Sequence, residues 1–203
     1  MSIKDIIPVY QAAFQEFGDS PAGVCWPKGL QERRFHALTR HWHIRPISVL
    51  DFGCGLAHLK PFLDQKFPSV TYTGVDIVPE FIAHNAHKYP DSTFKLISSV
   101  EDIDGCFDHT AISGTFNIKY DESGTKNWDI ISSILLSLFN KTHISLSADF
   151  FTDDVDYMQQ DSYHQNPDKL YRFIRKHISK YMVMDSSYLP FEYAVTILKN
   201  IQE

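Results

Sequence analysis

Val49-Leu50-Asp51-Phe52-Gly53-Cys54-Gly55-Leu56-Ala57 decides how this chain is read. The run starts at Ile47 as a short apolar stretch, the pattern of a strand buried on both faces, and it ends in two glycines. Gly53 and Gly55 allow backbone angles closed to other residues and let a ligand approach the main chain. From Ala57 to Phe67 the pattern is helical. The glycine turn therefore lies at the carboxyl end of a strand, where open α/β sheets bind ligands.

Outward from this turn, strands and helices alternate. Val70 to Ile77 reads as a strand and Pro79 to Lys88 as a helix with proline in its first turn. Thr93 to Ile97 and Asp108 to Ser113 read as the third and fourth strands. Trp128 to Phe139 is a helix with Ile130, Ile131, Ile134, Leu135 and Leu138 inward, and His143 to Ser147 is a fifth strand. Upstream, Ile3 to Phe17 is an amphipathic helix and Gly18 to Pro21 a turn. A second helix is expected over Gly29 to His41. Downstream, Phe150 to Asn166 is polar and aromatic and reads as a loop or lid. Pro167 to His177 is a helix, and Lys180 to Met184 with Phe191 to Leu198 form an antiparallel hairpin.

This order predicts an α/β fold of the Rossmann-like kind: a mostly parallel seven-stranded sheet, an antiparallel C-terminal hairpin and N-terminal helices. At 203 residues one domain is expected, divided into a helical cap (1–45), a cofactor-binding core (46–149) and a substrate-side loop, helix and edge hairpin (150–203). Nineteen Lys and Arg against 25 Asp and Glu give a formal charge of −6. That balance speaks against a nucleic-acid partner, which needs a basic face. Cys25, Cys54 and Cys106 are too few and too irregularly spaced for a disulfide framework or a zinc site, so a reducing, cytoplasmic setting is expected. The N-terminus has no signal-peptide pattern, and no apolar run reaches the ~18 residues a membrane span needs.

The turn speaks against two ligands. A dinucleotide fingerprint wants G-x-G-x-x-G, and Leu56-Ala57-His58 follows Gly55 with no third glycine. A phosphate-binding loop wants G-K-S or G-K-T, which is absent. Asp51, just before the glycines, suits a ligand with a positive group rather than a pyrophosphate. S-adenosylmethionine, with its sulfonium and amino-acid end, is such a ligand. Asp76 ends the next strand, 25 residues after Asp51 and close to the ~20-residue offset of a ribose-binding acid. Ile77 follows it and is placed to cover an adenine face.

Asp51 to Leu59 resembles motif I of the class I S-adenosylmethionine-dependent methyltransferases, and Gly74-Val75-Asp76-Ile77 resembles their second motif. Ala57 departs from a position where that family often has glycine. A narrower resemblance, to small bacterial and phage-type methyltransferases with an A-S-G-x-F-N signature, runs through three stretches. These are Gly18 to Phe35, Ala111-Ile112-Ser113-Gly114-Thr115-Phe116-Asn117, and Tyr163-His164-x-x-Pro167. The resemblance implies S-adenosyl-L-methionine as cofactor. It implies that Asp51, Gly53 and Gly55 line the methionine end, that Asp76 holds the ribose, and that Ile77 and Val100 contact adenine. Ser99 stands where the family usually has an acid. Ser113 and Gly114 would sit beside the methyl. Trp26, Gln31 and Arg34 would close over the cofactor, with Arg34 on its carboxylate; a surface helix arginine is the other reading.

The methyl acceptor is less legible. The N-P-P-Y or D-P-P-Y of base amino-methyltransferases is missing after the fourth strand. Candidates for a general base are His164, Asp149 and Tyr163, with Asn117 as an orienting amide. For a lone histidine such as His164 a loop hydrogen-bonding role is the favoured reading, and a loop tie is the other reading of Asn117. The expected acceptor is a small molecule or a saccharide, at oxygen or nitrogen, with no membrane partner. The alternatives are a protein or nucleic-acid acceptor, or a non-catalytic binding module that kept the fold. His84 and His87 read as an exposed helical pair, and no metal is expected.

Overall fold

A computed structural model of the protein describes residues 3–26, 30–120 and 125–200. The expected helix start at Gly29 lies outside these residues. Eight strands form one sheet: β1 (Ile47–Phe52), β2 (Val70–Asp76), β3 (Thr93–Leu96), β4 (Phe107–Ile112), β5 (Thr142–Thr152), β6 (His164–Gln165), β7 (Tyr181–Asp185) and β8 (Glu192–Leu198). Their order is β3-β2-β1-β4-β5-β8-β7, with β6 paired to β5. β1 to β6 pair in parallel, while β8 runs antiparallel to both β5 and β7. The chain winds one way from β1 through β2 to β3 and the other way through β4 and β5. The switch point lies between β1 and β4, and there the carboxyl ends of adjacent strands open a crevice.

Among the described residues six helices pack around the sheet: α1 (Ile3–Phe17), α2 (Gln31–Leu38), α3 (Leu59–Lys66), α4 (Pro79–Lys88), α5 (Thr125–Asn140) and α6 (Pro167–His177). The period of two in a strand explains the two cores. Leu50 and Phe52 of β1 join Ile131, Leu135 and Leu138 of α5 and Leu170 and Ile174 of α6. Ile47 and Val49, on the other face, join Phe35 of α2 and Leu59 and Leu63 of α3. Leu50, Val49, Leu63 and Leu135 are all fully buried, and each such side chain contributes roughly 1.5–3 kcal/mol. None of the described helices is long and apolar enough to cross a membrane.

Two expectations are corrected. β5 does not stop at Ser147 but runs on to Thr152, with Asp149 and Phe150 fully buried inside it. The stretch expected as a loop from Phe150 to Asn166 therefore begins and ends in the sheet, because Phe151 pairs with His164 and Thr152 with Gln165. The sheet has eight strands rather than seven because of this two-residue β6.

Candidate active site

The chain leaves β1 through a turn with three left-handed residues: Gly53 at φ 74°, Gly55 at φ 51° and Ala57 at φ 54°. The turn is locked from several sides. Gly53 and Cys54 donate from their amides to Val75 O at 2.9 and 3.0 Å. The Gly55 amide donates to Asp76 Oδ2 at 2.8 Å, and Asn85 Nδ2 of α4 donates to Gly55 O at 2.7 Å. A Cβ on Gly53 would lie 2.1 Å from Thr115 Oγ1, the hydroxyl that bonds Phe52 O across the switch point. Glycine is needed there because the turns after β1 and β4 touch.

The turn after β4 is built on a buried acid. Asp149 of β5 accepts from Ser113 Oγ and from the Gly114 amide, both at 2.8 Å. Gly114 is left-handed at φ 75°, and a Cβ on it would sit 1.9 Å from Cζ2 of Trp26. Trp26 thus rests directly on this loop, placed by the 3-10 turn Pro21–Val24 that Ser20 caps. These two turns, the end of β2 and α1 enclose a cavity of about 510 Å³, within the range of small-molecule sites.

Ten expected cofactor residues meet at this cavity: Asp51, Gly53, Gly55, Asp76, Ile77, Val100, Ser113, Gly114, Trp26 and Gln31. Gln31 is steadied by His58, whose Nδ1 lies 3.1 Å from its Oε1. Val100 opens a short 3-10 turn held by Asp102, which accepts from the Ser98 and Ser99 amides at 2.7 and 3.0 Å. Asp102 is thereby spent on the turn, and Ser99 and Glu101 join the cavity wall instead.

Of the acids that line the cavity, Asp51 and Asp76 are buried. Burial pushes the Asp51 carboxyl up to about 7, and the nearby Asp76 charge adds to that against the hydrogen bond from Tyr72 Oη at 2.5 Å. Burial also raises Asp76, opposed by the Val78 and Gly55 amides it accepts from. Buried carboxylates with few protein partners favour a ligand that brings donors or positive charge. Each Asp76 oxygen keeps a lone pair beyond its amide bond, enough for a diol.

Arg34 is not at this cavity. It is 1% exposed, and its Nε and Nη2 form a bidentate pair with Glu192 of β8, the Nε bond being 2.7 Å. Its guanidinium carbon lies 3.9 Å from the centre of the Trp26 ring. The expectation that Arg34 binds the cofactor carboxylate is therefore corrected: Glu192 already occupies that fork.

A second, more open cleft of about 1350 Å³ adjoins the first and shares Trp26 and Gly114 with it. His164, Asn117, Arg34 and Glu192 line it. His164 Nδ1 lies 2.7 Å from Thr152 O, and its Nε2 accepts from the Gln159 amide at 3.3 Å. A carbonyl can only accept, so Nδ1 carries the proton and both ring nitrogens are occupied. The structure thus gives His164 the loop role rather than that of a free base. Asn117 accepts from the Phe151 amide at 2.7 Å and points Nδ2 at Asp149 Oδ1 at 3.5 Å, so it ties its loop to β5. Asp149 is fully buried behind Ser113 and Gly114 and lines neither cavity, which removes it as a base facing an acceptor. Tyr163 donates from Oη to Gln165 Oε1 at 3.2 Å.

Sequence reasoning missed Asn85, Tyr72, Asp19 and Glu192. Asn85 had a visible mark: it falls one helical turn after Phe81 on the buried stripe of α4, where a polar residue needs a partner. Among the described residues no group of three or more His, Cys, Asp or Glu side chains could hold a metal. His84 instead faces Asp19 Oδ2 at 3.0 Å.

No family model matches the chain. A curated Mycobacterium tuberculosis protein named "Putative methyltransferase Rv1506c" is 26% identical over 156 residues, which is 76% of this chain and 94% of that protein. Among solved structures, magnesium protoporphyrin IX methyltransferase of Synechocystis PCC 6803, with bound SAM, superposes with a TM-score of 0.66 at 13% identity, over 97% of this chain and 96% of that one. The 1,6-didemethyltoxoflavin-N1-methyltransferase of Burkholderia thailandensis gives 0.65 at 17% identity, over 96% and 85%. Strand order, the antiparallel hairpin and the glycine turn at the switch point agree with these likenesses: the chain has the Rossmann-like fold of the class I S-adenosylmethionine-dependent methyltransferases.

Proposed function

We propose that the chain is a methyltransferase that uses S-adenosylmethionine and methylates a small molecule, at nitrogen in preference to oxygen. One observation carries this: the glycine-turn cavity adjoins a second cleft, with Trp26 and Gly114 lining both, so a donor and an acceptor have neighbouring compartments. The residues fit the donor. Asp76 offers free lone pairs to ribose hydroxyls, Asp51 offers a carboxylate to the amino-acid end, and Gly53 and Gly55 leave room beside the main chain.

When bound, S-adenosylmethionine supplies a methyl on a sulfonium: the acceptor's lone pair forms the new bond to carbon, the C–S pair returns to sulfur, and the acceptor's proton passes to water. The chain's own part is orientation. Asp149 fixes Ser113 and Gly114, and Trp26 packs on Gly114 where the compartments meet. With both nitrogens of His164 engaged, an acceptor that is nucleophilic without a protein base is favoured, as amines and ring nitrogens are. Small-molecule methyltransferases among the structural neighbours support this reading. The narrower likeness to the small bacterial and phage-type group rests on Ala111 to Asn117 and Tyr163-His164.

The test is transfer of labelled methyl to three panels: low-molecular-weight metabolites including saccharides, denatured cell protein, and total RNA with DNA. Label in the metabolite panel alone is expected. Label confined to protein or nucleic acid would overturn the acceptor assignment.

A further inference from the structure

We propose that His58 is a positioning residue for the cofactor's carboxylate: it holds Oε1 of Gln31 and so presents the amide's Nε2 to the glycine-turn cavity as a donor. The inference rests on the methyltransferase reading and deepens it, since it names what receives one end of the methyl donor.

The need arises because Arg34 is already matched to Glu192. The amino-acid end of S-adenosylmethionine carries an ammonium and a carboxylate, and the buried Asp51 suits only the first. A carboxylate wants charged or strong donors. Among the described residues lining the cavity there is no lysine or arginine, and His58 is the one basic side chain. It stands three residues beyond Gly55, just before α3, and Gln31 reaches it from the start of α2. The serine and threonine hydroxyls of the wall are placed otherwise. Ser98 and Ser99 follow β3, Ser133 and Ser137 sit on α5, and Ser113 and Thr115 are spent on Asp149 and on Phe52 O.

Hydrogen-bond chemistry fixes the amide. His58 Nε2 lies 3.0 Å from Asp19 Oδ1, and a carboxylate only accepts, so Nε2 carries a proton. Asp19 stays ionised: partial burial would raise its carboxyl, but bonds from Lys88, His58 and His84 pull it down to about 2. His58 Nδ1 lies 3.1 Å from Gln31 Oε1, and an amide oxygen also only accepts, so Nδ1 carries the second proton. His58 is therefore an imidazolium with both N–H groups engaged, and it acts through Gln31. Nε2 of Gln31 makes no hydrogen bond among the described residues, and it is not enclosed as Arg34 Nη1 is. Charge favours the same ligand. One carboxylate, Asp19, answers both His58 and Lys88, so a further anion beside them is attracted. A neutral His58 would need the amide reversed, with its oxygen towards the ligand; that arrangement would hold the ammonium instead.

The experiment compares S-adenosylhomocysteine with S-adenosyl-3-thiopropylamine, the same ligand without its carboxyl group, by calorimetry on the full chain. The unaltered chain is expected to bind S-adenosylhomocysteine tighter by about tenfold or more, as a hydrogen bond to a charged group allows. Gln31→Leu and His58→Leu are each expected to bring the two ligands within about threefold of each other, with the amine ligand itself held within about threefold of its original affinity. The double variant should lose no more preference than either single one, because the two residues act as a unit. Gln31→Glu keeps one oxygen for His58 and sets the other against the ligand's carboxylate, so the preference should invert. That variant keeps the test decisive where a leucine variant does not fold. If the preference is absent from the unaltered chain, if it survives in the variants, or if both ligands weaken together in them, the inference is overturned and the methyltransferase reading stands. If S-adenosylhomocysteine does not bind the unaltered chain, that reading falls and this inference with it.

Discussion

Three of the five residues from Gly53 to Ala57 hold left-handed backbone, and only two are glycine. Ala57 takes φ 54° with no exposure at all, so its difference from the family's glycine is one of backbone strain. A left-handed alanine costs about 1–2 kcal/mol. Ala57→Gly removes that, but loses a buried methyl of about 0.8 kcal/mol and adds unfolded-state freedom of about 0.4–1 kcal/mol. The variant is expected within about 1 kcal/mol of the unaltered chain by urea unfolding. Gly114→Ala is different, since its new methyl would overlap Trp26 in a left-handed position. Strain and overpacking together predict a loss of roughly 2–5 kcal/mol, with weaker S-adenosylhomocysteine binding. Asp51 gives a pH signature. Its carboxyl, raised to about 7 in the free chain, keeps its proton below that pH. The stability this residue lends the ligand-free chain is therefore lost as pH rises from about 4 through 7. A ligand ammonium needs the ionised form, so affinity should fall about tenfold from pH 8 to pH 6. Calorimetry at both pH values checks this, and Asp51→Asn should flatten the profile. Asp51, Gly53, Gly55 and Asp76 were legible because a strand-end glycine turn and the next strand's acid are local patterns. Arg34 was not, because its partner lies 158 residues away.

Among the elements, the N-terminal helix packs Tyr10 and Phe14 on Phe81 and bonds Gln11 to Glu80 of α4, and one carboxylate just after it adds a polar tie. Asp19, in the turn after α1, meets His58 Nε2 before α3 at 3.0 Å, His84 Nε2 of α4 at 3.0 Å and Lys88 Nζ at 2.6 Å. These bonds pull its carboxyl down to about 2 despite partial burial, which alone would raise it. Its contribution is present above about pH 4 and is lost as pH falls through 2. Asp19→Asn should cost only about 1 kcal/mol, because solvent screens the cluster. The same change should speed hydrogen exchange in α1, whose Ile6 and Tyr10 wall the cofactor cavity. Helices α1, α4, α5 and α6 were readable from their periodic apolar faces and proline starts. The far half of β5 was not. Asp149 in mid-strand looks like a break, and only the Ser113 and Gly114 donors delivered by β4 make its burial tolerable. β6, at two residues, carries too little pattern to be read at all.

Across the whole molecule, the Arg34–Glu192 pair joins the helical cap to the C-terminal hairpin beneath the site. Breaking one side leaves a buried charge, so Arg34→Met alone should lose about 3–5 kcal/mol by chemical denaturation. Arg34→Met/Glu192→Leu, which removes both charges, should lose far less or nothing. Fold class was visible in the alternation of strands and helices, because every parallel strand must be followed by a crossover. Acceptor chemistry was not, because the cleft collects residues from α1, α2, the turn after β4, the loop after β5 and β8. The glycine-turn cavity is expected to hold an adenosyl ligand through Asp76. Calorimetric titration of S-adenosylhomocysteine into the chain and into Asp76→Ala, with folding of both checked by circular dichroism, tests it most directly. One site per chain is predicted, weakened about a hundredfold or more in the variant, as loss of two charge-assisted bonds requires. No binding to the well-folded unaltered chain, or equal binding to both proteins, would contradict it.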